Sequence, residues 1–145
     1  MTYLRYAGVF LAVAFGAAAL VDLLNATMDS ALGSSAQLMV PAMIAAVIEG
    51  QRYARRNRAR PVSADAWNFT WIATGTALAL NVALSFLAKG MLPEFGKLAI
   101  APVFSQQFNV LLGLYAAGYF ICNRFFLGIG AANQLAMMRS RGEIE

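Results

Sequence analysis

RYARRNRARPVSADAW, residues 52–67, is the stretch whose reading decides the fold. Arg52, Arg55, Arg56, Arg58 and Arg60 crowd into nine positions, and apolar sequence runs away from them on both sides. Arginines packed between apolar runs mark the cytoplasmic loop of a membrane protein, because positive residues are retained on that face during insertion. The remaining arginines, Arg5, Arg124, Arg139 and Arg141, fall near the ends of other apolar runs, and the two lysines, Lys89 and Lys97, share one segment between runs. If the chain crosses four times, all nine arginines lie inside and both lysines outside.

Composition agrees with this class. The chain of 145 residues is 60% hydrophobic and only 12% charged, with a mean hydropathy of +0.61. A soluble domain is nearer a quarter charged. The expected fold is therefore all-α and integral to the membrane: one domain, residues 1–145, with four transmembrane helices, N-in and C-in. The net charge of +4 flanks apolar runs, which points to anionic headgroups as the counter-charge and away from nucleic acid.

A bilayer core of about 30 Å needs about 20 helical residues. Residues 6–25, 68–88 and 103–127 meet that length. The segment 35–53 is the weakest span, since its clean apolar stretch is only Leu38–Ile48 and Pro41 interrupts it, either in the first turn or as a kink. A re-entrant second segment would move the N-terminus outside and take Arg5 with it, leaving the other eight arginines inside. The first run exceeds a signal-peptide core and lacks a small-residue cleavage site, so it reads as a retained span. Tyr3, Tyr6, Tyr53, Trp67, Trp71, Phe125 and Phe126 mark the inner interface. Two short interfacial helices complete the expectation: an outer one over 93–100, opened by Pro93 and Glu94, and an inner tail over 128–145 resting on headgroups.

Candidates for chemistry are few. Asp22, Asn25 and Asp29 share one face near the outer end of the first span, where a carboxylate either binds a cation or sits solvated among headgroups. Glu49 lies at the inner end of the second, with Arg52 and Tyr53 three and four residues on, a spacing for a local ion pair or a proton-coupled site. Thr70, Thr74, Asn81 and Ser85 form one stripe, and Gln106, Asn109, Gly113 and Ala117 another. Such stripes serve as helix–helix glue or line a hydrated path. Gly8, Ala12 and Gly16 offer a small-residue ladder for close helix approach. With no histidine and one cysteine, Cys122, the chain has neither an internal disulfide nor the usual zinc or haem ligands. No cofactor, metal site or catalytic signature is expected.

The run from Arg60–Pro61 to Asp65 and Trp67 resembles the second loop of uncharacterised small four-helix bacterial inner-membrane proteins, where a basic loop meets Arg-Pro and then an acid before the third helix. Asp65 stands where that pattern more usually has glutamate. The resemblance implies topology and bacterial origin, and no activity. Small dimeric multidrug transporters place a glutamate mid-way along their first helix; Asp22 lies near the end instead. The expected role is a non-enzymatic accessory, assembly or stabilising subunit of a larger inner-membrane complex, such as an energy-transducing one. Its expected partners are that complex and anionic lipids, with Arg52, Arg55, Arg56, Arg58 and Arg60 as the docking residues. The alternative is a small homo-oligomeric transporter or channel using Asp22, Glu49 or Asn81.

Overall fold

The computed structural model describes residues 3–28, 39–88, 90, 95–96 and 100–144. These residues form four helices: α1 (Tyr3–Met28), α2 (Val40–Asn57), α3 (Ser63–Leu87) and α4 (Gln106–Ser140). Three of them, α1, α3 and α4, are long and apolar enough to cross a membrane. The chain is thus an all-helical, multi-pass membrane protein. Lys89, Lys97, Asp29 and most of the expected outer helix over 93–100 lie outside the described residues; of that segment, Phe95 and Gly96 form a 3-10 turn.

The expected fourth span over 35–53 is corrected. The described helix begins at Val40 and runs on to Asn57, with Pro41 in its first turn, where a missing N–H costs nothing. Its apolar run stops at Ile48, and Glu49, Arg52, Arg55 and Arg56 fill the rest. Met39, at its start, lies against Gly118 of α4. Gly118 is about 18 Å along α4 from Gln106 at 1.5 Å per residue, so the described helix begins deep beside α4 and emerges at the arginine end.

Contacts fix the helix directions. Val47 meets Gly130, and Gly50 meets Leu127 and Ala131, so α2 runs parallel to α4. Thr74 and Asn81 of α3 bond to Asn123 and Tyr119 of α4, so these two helices are antiparallel. Tyr6 of α1 bonds to Asn123, and Phe10 packs edge-on to Tyr119, which makes α1 antiparallel to α4 as well. Arg5, the Arg52–Arg60 segment, Arg124, Arg139 and Arg141 consequently gather at one end of the bundle. Arg5 stands with the other eight.

The inner tail is also corrected. Residues 128–140 do not form a separate helix; they extend α4, which is continuous for 35 residues. At about 52 Å it outruns a bilayer core by roughly 20 Å. What keeps the extension helical is α2: Ala54 packs with Ala131 and Leu135 in a second apolar cluster.

The main core is built from aromatic and alanine side chains. Tyr6, Phe10, Ala14 and Ala18 recur every four residues on α1 and face Phe69, Ala73 and Ala77 of α3 and Tyr115 and Tyr119 of α4. Gly8, Ala12 and Gly16 lie on the exposed side of α1, and nothing comes within 4 Å of a Cβ added at either glycine. The expected small-residue approach on α1 does not occur among the described residues. It occurs instead between α2 and α4, where Ala42, Ala45, Ala46 and Gly50 are buried.

Candidate functional site

Two polar assemblies occupy the interior. The first joins α1 to α2. Arg5 Nε and Nη2 donate to the two carboxylate oxygens of Glu49 at 2.6 and 2.7 Å. Glu49 is 2% exposed, whereas the Arg5 side chain is 32% exposed. The fork of the guanidinium matches both oxygens and offsets the cost of taking the carboxylate out of water. Glu49 therefore pairs across helices with Arg5, and the local pairing with Arg52 suggested by its i+3 spacing is not made; Arg52 is exposed.

The second assembly joins α1, α3 and α4. Tyr6 donates its hydroxyl to Asn123 Oδ1 at 2.7 Å, and Asn123 Nδ2 donates to Thr74 Oγ1 at 3.3 Å. One turn further, Asn81 Nδ2 donates to the Tyr119 hydroxyl at 2.9 Å, and Ser85 reaches Asn81 Oδ1 at 3.5 Å. Thr70 turns back to the Ala66 carbonyl at 2.7 Å. All of these side chains are buried. In hydrocarbon a polar group without a partner is costly. The three bonds that cross between helices, Tyr6–Asn123, Asn123–Thr74 and Asn81–Tyr119, therefore hold them in one register, while Ser85 and Thr70 are satisfied within α3.

The sequence candidates separate into two groups. The α3 stripe of Thr70, Thr74, Asn81 and Ser85 faces inward as a unit. The α4 stripe does not answer it: Gln106, Asn109, Gly113 and Ala117 are all exposed. Asn123 and Tyr119 take its place opposite α3. Asp22 is exposed on α1 and Asn25 half-buried near it. Arg52, Arg55, Arg56, Arg58 and Arg60 are exposed, and Arg58 ends α2 in a left-handed conformation, its N–H bonded to the Ala54 carbonyl.

Sequence reasoning gives Asn123 and Tyr119 no role, and it reads Tyr6 only as an interface marker and Arg5 only as a topology signal. Tyr115, Tyr119, Asn123 and Leu127 recur every four residues inside an apolar run, and that spacing was the available signal. The Arg-Pro loop has a geometry of its own. Tyr53 donates to Asp65 Oδ2 at 2.7 Å, tying the end of α2 to the start of α3. That bond, chiefly, with partial burial and the carboxylate's charge, pushes the Tyr53 hydroxyl above its ordinary value.

Among the described residues, no group of three or more histidine, cysteine, aspartate or glutamate side chains comes together to hold a metal ion. Comparison with known proteins finds no match to this chain among family models, curated proteins or solved structures.

Proposed function

We propose that the chain is a non-enzymatic subunit of the bacterial inner membrane that assembles with and stabilises a larger complex, such as an energy-transducing one. In this reading both termini and the arginine loop face the cytoplasm. The observation that carries it is the stripe of Gln106, Asn109, Gly113 and Ala117, turned outward on α4. Two carboxamides beside small residues suit a facing helix that can approach closely and exchange hydrogen bonds in lipid. The interior supports the same reading. Glu49, Asn81, Asn123 and Thr74 are engaged with side chains of neighbouring helices, as in a fixed scaffold. Anionic headgroups complement Arg52–Arg60. The likeness of Arg60–Pro61 and Asp65 to small bacterial inner-membrane proteins supports the compartment.

Extraction of native membranes in mild detergent tests this. The chain should migrate with a larger assembly and bring other polypeptides with it. Recovery only as a monomer or homodimer contradicts the proposal.

The transporter alternative draws on one observation. Asp22 is exposed on α1 between Leu20 and Leu23, which are 56% and 61% exposed, so a second copy packed there would enclose a carboxylate. Flux in proteoliposomes that falls on Asp22→Asn or Glu49→Gln would favour it. Flux equal to that of empty liposomes across common ions and cationic drugs removes it.

A further inference from the structure

Two connected grooves follow the outer seam between α3 and α4. The one at the arginine end encloses about 640 Å³ and is lined by Arg60, Pro61, Phe120, Ile121, Arg124 and Phe125 among others. The one nearer mid-membrane encloses about 600 Å³ between Trp71, Gly75 and Leu78 of α3 and Ala116, Ala117 and Ile121 of α4. Phe120 and Ile121 belong to both, so the two form one trough. It exists because Thr74–Asn123 and Asn81–Tyr119 hold the helices together on the inner side. On the outer side Gly75, Ala116 and Ala117 are too small to fill the seam.

Charge is confined to one end of this trough. Arg124 Cζ stands 5.2 Å from the centre of the Trp67 ring, a cation–π contact that fixes the guanidinium at the groove wall. Trp67 and Trp71 both pack on Phe120, at 5.7 and 4.8 Å between ring centres. Among the described residues neither Arg60 nor Arg124 has a carboxylate partner. The nearby acid of α3, Asp65, is taken by Tyr53. The first turn of α3, whose N-cap Val62 supplies no side-chain bond, adds the positive end of a helix dipole.

We infer that this seam binds one anionic phospholipid. Its phosphate lies between Arg60 and Arg124, and an acyl chain runs over Phe120 and Ile121 into the trough beside Gly75 and Ala117. A phospholipid is the occupant whose chemistry changes along its length as the groove's does: anionic at the end where Arg60 and Arg124 have no carboxylate partner among the described residues, apolar along the mostly apolar remainder. The tryptophans at the junction mark the headgroup depth. This site does not depend on the accessory-subunit reading: of the outward stripe of α4 only Ala117 borders the trough, whereas Gln106, Asn109 and Gly113 lie outside its lining.

Trp67 and Trp71 are the only two tryptophans of the chain; Trp71 lines the groove, and Trp67 packs on its wall residues Phe120 and Arg124. The test is quenching of their fluorescence in phosphatidylcholine vesicles that carry an equal small fraction of brominated phosphatidylglycerol or brominated phosphatidylcholine. The brominated anionic lipid should quench in excess, corresponding to roughly tenfold enrichment at the site, since each of the two arginines contributes roughly fivefold at most. Arg60→Gln should remove most of that excess, and Gly75→Leu, at a position with open space for a side chain, should reduce it. Arg141→Gln, a matched charge loss in the tail, should leave it. Equal quenching by the two lipids overturns the proposal. So does an excess that falls equally in Arg60→Gln and Arg141→Gln, which would mean diffuse attraction. Quenching by neither lipid in a dimeric sample would mean that a second copy covers the seam, and also overturns it.

Discussion

Gly50 of α2 and Gly130 of α4 each lie against the backbone of the other's helix. A Cβ on Gly50 would overlap the Leu127 carbonyl, and one on Gly130 would overlap the Val47 carbonyl. Backbone cannot move aside as a flexible side chain can. Gly50→Ala or Gly130→Ala should therefore push α2 off α4 and cost about 1–3 kcal/mol, the usual range for overpacking. Gly75→Ala and Gly113→Ala meet nothing within 4 Å and should be neutral or gain up to about 1 kcal/mol from helix propensity. Thermal melts in detergent separate the two pairs. Equal effects at all four sites would mean that the α2–α4 crossing is not backbone-limited.

The Arg5–Glu49 pair ties α1 to the same crossing. Arg5→Met leaves a carboxylate that is 2% exposed without its partner, and should cost about 3–5 kcal/mol. Arg5→Met combined with Glu49→Leu should recover much of that loss, because the uncompensated charge is gone. A double-mutant cycle reads the coupling. Additive losses would show that the two side chains act independently.

Asn123 bonds on both sides, to Tyr6 and to Thr74. Tyr6→Phe removes one bond and should cost about 0.5–1 kcal/mol, the usual yield of such bonds in membranes. Asn123→Ala leaves two buried groups unpaired and should cost more than twice as much. Stabilities measured in one detergent check the order, and a smaller loss for Asn123→Ala would count against a connected network.

Much of this fold was legible before any contact was known. α1, α3 and α4 announce themselves as apolar runs of sufficient length, and the inward stripe of α3 follows from residues spaced by four and seven. The second helix departs from the expected span because its position is set by Gly50 against Leu127 and Ala131 and by Gly130 against Val47, contacts between residues far apart in sequence. Gly50 is visible within residues 35–57, but the backbone it meets on α4 is not. The pairing of Glu49 with Arg5, 44 positions away, is hidden for the same reason, whereas Arg52 at i+3 offered a local partner that the helix turns outward. The α4 stripe, offered by its spacing as helix–helix glue or a hydrated path, is turned outward instead of packing into the bundle. Periodicity gives a face, and only packing says what lies opposite.

The Arg-Pro loop makes a pH prediction. Tyr53 donates to the Asp65 carboxylate, which favours the protonated phenol and raises its pKa above the ordinary value of about 10. A folded pKa above the unfolded one contributes stability that is complete below about pH 10 and lost as pH rises through the folded value. The phenolate absorbance attributable to Tyr53, taken as the difference from Tyr53→Phe, should appear at higher pH in the native chain than in Asp65→Asn. Coincident curves would remove Asp65 as the cause.

The proposal of an accessory subunit is tested most directly by a photo-reactive residue replacing Asn109, on the outward stripe of α4, in native membranes. Irradiation should join the chain to a different polypeptide, while the same residue replacing Leu4, 84% exposed on α1, should not capture that polypeptide. Adducts to lipid or to a second copy of the chain alone would contradict the account.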